Sequence, residues 1–78
     1  MTTYLERVAD LDRRIIEAHD NLRTRQSELR EQLAAGHPTD AVEHVIDAIE
    51  VAIDSMEEYR EVLVAAIKRG GAANSNKV

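Results

Sequence analysis

Three histidines and a surplus of carboxylates are the residues of this 78-residue chain that could do acid–base or metal chemistry. His37 lies in the stretch "AAGHPTDAV", Ala34 to Val42, beside the only proline. With an ordinary pKa near ~6.5, an imidazole in a loop can serve as a base or a metal ligand. No nucleophile or ligand set stands near it in the sequence, so the simpler role is to cover a helix end after Gly36. His19 is flanked by Glu17 and Asp20, and His44 by Asp40, Glu43 and Asp47. Metal sites in four-helix bundles use Glu-x-x-His, which puts both ligands on one helical face. Ile16 and Ala41 occupy the positions where that glutamate would have to be, so neither histidine completes the motif. Asp40 and His44, four apart, make at most a helix-surface pair. There is no glycine-rich phosphate loop, and no serine has a histidine and a carboxylate at a recognised spacing. The absence of cysteine excludes disulfides and thiolate metal sites. The expectation is therefore a protein that is not an enzyme, with no catalytic, cofactor-binding or metal site and no cofactor.

Charge offers recognition in place of reaction. The second half carries an acidic ridge of Asp40, Glu43, Asp47, Glu50, Asp54, Glu57, Glu58 and Glu61, opposed only by Arg60, Lys68 and Arg69. Such a ridge is either a docking face for a basic partner or a solvated outer face that keeps a bundle dispersed. The solvated face is the simpler reading. Arg7, Arg13, Arg14, Arg23, Arg25 and Arg30 lie in the first half and could form a strip for RNA. The acids interspersed among or flanking them weaken that strip, and a net charge of −5 repels phosphate backbones and anionic lipid. Nucleic acid and membrane are therefore not expected partners.

The elements that must position these groups are two helices. Tyr4, Val8, Leu11, Ile15, Ala18 and Leu22 recur at steps of four and three, and the row continues through Gln26 to Leu29 and Leu33. This predicts a helix over 3–35, opened by a capping box of Thr3 with Glu6. The turn comprises Gly36, His37, Pro38 and Thr39. Glycine closes the first helix, proline cannot extend it, and Thr39 can cap the next. A second helix is predicted over 40–69, followed by a flexible tail, 70–78, "GGAANSNKV".

The second helix has four apolar columns of a seven-residue repeat: Val42, Ile49, Met56, Leu63; then Val45, Ala52, Tyr59, Ala66; then Ile46, Ile53, Arg60, Ile67; then Ala41, Ala48, Ser55, Val62. That face is wider than one partner helix covers. The fold class expected is all-α: an antiparallel two-helix hairpin in a single domain, dimerising into a four-helix bundle. The interface is expected to use Val42, Val45, Ile46, Ile49, Ala52, Ile53, Met56, Tyr59, Leu63 and Ile67. Arg60, the polar interruption of its column, is expected to form an ion pair with Glu17, within the hairpin or across the dimer, that sets the register.

The run "DRRIIEAHDNLRTRQSELREQLAAGHPTDAVEHVIDAIEVAIDSMEEYREVL" resembles a family of short alphaproteobacterial proteins with a G-H-x-T turn. Asp12, Arg13, Ile15, Glu17, Arg25, Gln26, Gly36, His37, Thr39 and Arg60 carry the resemblance. Pro38 departs from it, standing where an acidic residue is expected, but suits the same turn. The resemblance implies the hairpin and brings no function with it. The helical-hairpin family with W-x-G at its turn is excluded because the chain has no tryptophan. The small all-helical chorismate mutases share an arginine-rich first helix but need a third helix. No basic start leads into an apolar run, and no apolar stretch approaches the ~20 residues of a membrane span. A cytoplasmic homodimer acting as a protein–protein interaction or scaffolding module is the function expected. The alternatives are a small RNA-binding hairpin dimer and a subunit that completes its core on a different protein.

Overall fold

The computed structural model describes residues 3–70. Two helices, α1 (Tyr4–Ala35) and α2 (Asp40–Lys68), pack side by side along their lengths as a hairpin, with no strand among the described residues. The expected tail, 70–78, lies outside the described residues except for Gly70.

Both ends of α1 follow from local chemistry. Thr3 is extended, and its hydroxyl accepts from the Glu6 backbone N–H at 3.1 Å. Glu6 Oε1 accepts from the Thr3 backbone N–H at 2.9 Å, completing the reciprocal box. The Thr3 backbone N–H, and then its side chain, hold the Glu6 carboxyl below its ordinary value of 4.5. At the other end Gly36 is left-handed, with φ of 72°. The His37 N–H donates to the Gln32 carbonyl at 2.9 Å and the Gly36 N–H to the Leu33 carbonyl at 3.1 Å. This crossed pair is a Schellman closure, which satisfies two carbonyls that the ended helix leaves free.

The start of α2 departs from expectation. Thr39 holds the cap position, but no side-chain cap hydrogen bond forms there. With φ of −115° and ψ of −1°, its backbone lacks the extended geometry that aims a cap oxygen at the amides inside the helix. Its hydroxyl donates instead to Glu43 Oε2 at 2.6 Å, while its carbonyl accepts from the Glu43 N–H at 2.9 Å. The acids of the first turn, Asp40 and Glu43, favour the positive end of the helix dipole. Helix α2 ends at Lys68, with Arg69 as its cap rather than its last residue.

The buried side chains are Leu11 of α1 and Val42, Ile46, Ile53 and Leu63 of α2. Val8, Ile15, Ala18, Leu22, Gln26 and Leu29 are half-buried along the same row of α1. Leu33, the last of that row, is 61% exposed, because the chain is about to turn away. Perpendicular to its long axis the Cα trace measures only 18 × 14 Å. Among the described residues α1 and α2 are the two elements present, so each helix has the other as its one neighbour and no interior is enclosed.

Candidate interaction surface

Helix α2 divides its apolar columns between two directions. The columns led by Val42 and Ile46 turn toward α1: Val42, Ile46, Ile53 and Leu63 are buried, and Ile49, Met56, Arg60 and Ile67 half-buried. The columns led by Val45 and Ala41 do not. Ala41, Val45, Ala48, Ala52, Ser55, Tyr59 and Val62 are exposed, and only Ala66 is half-buried. Of the ten positions expected at the interface, Val45, Ala52 and Tyr59 therefore remain uncovered, and the other seven serve the contact with α1.

The uncovered residues are spaced alternately four and three apart from Ala41 to Val62, the step that keeps a seam facing a second helix. No charged residue interrupts them. By helical geometry this seam points about 100° away from the face that packs on α1. Tyr59 is 44% exposed, and its hydroxyl accepts from Arg7 Nη1 at 3.2 Å. The phenol head is thereby tied to α1 while part of the ring stays open. Val62 at 61% and Val51 at 64% exposed extend the apolar surface toward the solvent side.

Within the hairpin Arg60 takes a partner other than the expected one. Its Nε lies 2.5 Å from Asp12 Oδ1, and no ion pair joins it to Glu17 within the hairpin. Asp12 and Glu17 are five residues apart, about 140° around a helix, so both cannot face the same neighbour. Asp12 is half-buried on the α2 side, whereas Glu17 is exposed. The pair bridges two helices, but at 40% and 47% side-chain exposure it remains in contact with water. Ile15, Glu57 and Glu61 complete a shallow groove of about 400 Å³ around it.

The histidines are spread out. His37 is exposed in the turn and His44 on the first turns of α2. His19, also exposed, lines a second shallow groove with Leu22, Glu50, Ile53, Asp54 and Glu57. Among the described residues no group of three or more histidine, aspartate or glutamate side chains is placed to hold a metal ion. The acids of α2 lie away from the open seam, apart from Glu58 at its edge, and Glu50, Asp54, Glu57 and Glu61 border the grooves between the two helices.

On α1 the arginines are engaged locally. Arg13 and Arg14 both reach Asp10, Arg23 pairs with Asp20, and Arg25 pairs with Glu28. Arg30 donates to Ser27 Oγ at 3.1 Å. Gln32 Oε1 is shielded from solvent and accepts no hydrogen bond among the described residues.

Reading the sequence missed Asp12 and Arg7 as cross-helix partners and placed the α1 contact and the open seam in a single interface. No helix among the described residues is long and apolar enough to cross a membrane. No protein-family model, curated protein or solved structure matches the chain.

Proposed function

We propose that the chain is a non-enzymatic protein–protein interaction or scaffolding module acting as a homodimer, in which two hairpins close into a four-helix bundle. One observation carries this reading: a charge-free seam at coiled-coil spacing runs along α2 and α1 leaves it exposed. Seams of this kind in single-layer hairpins are covered by association, because covering them removes apolar surface from water. The RNA-binding alternative is weakened by the ion pairs within α1, which tie four of its six arginines to three carboxylates of the same helix. The acidic ridge of α2 is the solvated outside of the bundle, and the site of action is the cytoplasm. A hairpin completing its core on a different protein would use the same seam.

Light scattering on the intact chain tests this. The expected mass is that of two chains. Ala52→Arg, which puts a charge in the middle of the seam without touching the α1 contact, is expected to reduce it to one chain. Glu50→Arg on the ridge is expected to leave the dimer intact. A mass of one chain for the unaltered protein would overturn the homodimer and point to a different protein as partner.

A further inference from the structure

We infer that the second copy docks antiparallel, α2 against α2, about a two-fold axis passing between Ala52 and Ser55, with Tyr59 packing over the partner's Ala48. This rests on the homodimer reading above and specifies which face meets which, and in what register.

The order of side chains along the seam is the first argument. About the point between Ala52 and Ser55, the seam is nearly palindromic in size. In an antiparallel pairing Ala52 meets the partner's Ser55, Val45 meets the partner's Val62, and Ala48 meets the partner's Tyr59. The one large side chain, Tyr59, then faces an alanine, and no layer sets two large side chains against each other. A parallel pairing sets Tyr59 on the partner's Tyr59 and Ala52 on the partner's Ala52. That wedges the helices apart at one level and leaves a void at the next. Size therefore selects the antiparallel arrangement.

Register follows from the ends. Sliding the antiparallel pair by one heptad would set Val62 against the partner's Pro38 in the turn, where α2 has not begun. Sliding the other way would set Val45 against the partner's Arg69, beyond the last residue of α2. Only the register centred between Ala52 and Ser55 covers both valines.

Charge and geometry agree with this pairing. Two chains that each carry −5 must approach with their acidic ridges turned apart. The ridge lies away from the seam, so both ridges finish on the outside of the bundle. Glu58, the one acid at the edge of the seam, comes beside the partner's Val51 rather than a second acid. The bond from Arg7 to the Tyr59 hydroxyl at 3.2 Å holds the ring in place before docking. The angle of about 100° between the two faces of α2 is close to that between neighbouring edges of a square four-helix bundle.

The chain contains no cysteine, so single-cysteine variants can report proximity directly. Val45→Cys and Val62→Cys alter exposed positions only. The two sites are about 25 Å apart along one helix at ~1.5 Å per residue, well beyond disulfide reach. Mixed and mildly oxidised, the two variants are expected to give a species of two chains containing one of each, lost on reduction. Neither variant alone is expected to give it. A disulfide in Val45→Cys alone would overturn the antiparallel register while leaving the dimer standing. A scattering mass of two chains with no cross-link in any mixture would show that another face is used, and would overturn the seam assignment. A scattering mass of one chain would remove the homodimer reading itself, and this register with it.

Discussion

Arg60 is the residue at which composition and position disagree most. It stands in a column otherwise made of Ile46, Ile53 and Ile67, facing α1, and it reaches Asp12 rather than entering an apolar contact. Both side chains keep substantial exposure, so water screens the attraction and ordering two flexible groups offsets part of it. The pair specifies which residues of α1 lie opposite which of α2 more than it stabilises the fold. A double-mutant cycle with Arg60→Ala and Asp12→Ala is expected to give a coupling of about 0.2–1 kcal/mol by urea unfolding. The coupling should shrink as salt is added. Pairing Arg60→Ala with Glu17→Ala is expected to show none. Coupling to Glu17 but not to Asp12 would sink this assignment. That a cross-helix pair exists was legible from an arginine in an isoleucine column. Its partner was not, because five residues of offset on α1 swing a side chain most of the way to the opposite face.

The helix ends show how local sequence becomes local structure. Thr3 and Glu6 form the expected box because every group involved lies within four residues, so no distant packing has to cooperate. Gly36 behaves the same way: a φ of 72° costs glycine nothing and strains a residue with a Cβ. A Cβ built there meets nothing within 4 Å, so any penalty comes from the backbone alone. Gly36→Ala is expected to destabilise the hairpin by roughly 1–2 kcal/mol, the cost of a left-handed L-residue. Gly36→Asn should cost less, because asparagine tolerates that region better. Urea unfolding of the two variants checks the order, and an alanine variant as stable as the parent would refute it. Thr39 takes the expected cap position but makes no side-chain cap bond. A capping residue needs an extended backbone as well as a hydroxyl, and the path of the chain through Pro38 leaves Thr39 without one.

The whole molecule is set by a mismatch between apolar surface and available neighbours. Helix α2 carries enough apolar columns for two contacts, while the hairpin supplies one. A sheet of two helices with so few buried side chains has little to offset the entropy of ordering its backbone. If association supplies the remainder, folding and dimerisation are coupled and stability depends on concentration. The thermal midpoint is then expected to rise steadily as the protein is concentrated over about a hundredfold range. A midpoint independent of concentration in scanning calorimetry would indicate a hairpin that is stable alone. In the proposed dimer the surface would limit association to one direction. The ridge keeps its acids on one side, and the seam keeps charge out of the other, so attraction and repulsion act on different faces.

By itself the sequence determined the two helices, the box at Thr3, the glycine closure and the excess apolar width of α2. Each is a matter of spacing within a turn or two of one helix, where the 3.6-residue period and the backbone geometry leave little choice. Only the tertiary structure decided how that width is shared. Where α1 sits depends on the path of the chain through Gly36, His37, Pro38 and Thr39, which sets both the register and the rotation of each helix. That rotation sends Val42, Ile46, Ile53 and Leu63 inward, joins Arg60 to Asp12, and leaves the row through Val45, Ala52 and Tyr59 exposed. Four adjacent columns look equivalent along a sequence. They become two distinct faces when one neighbouring helix takes its place.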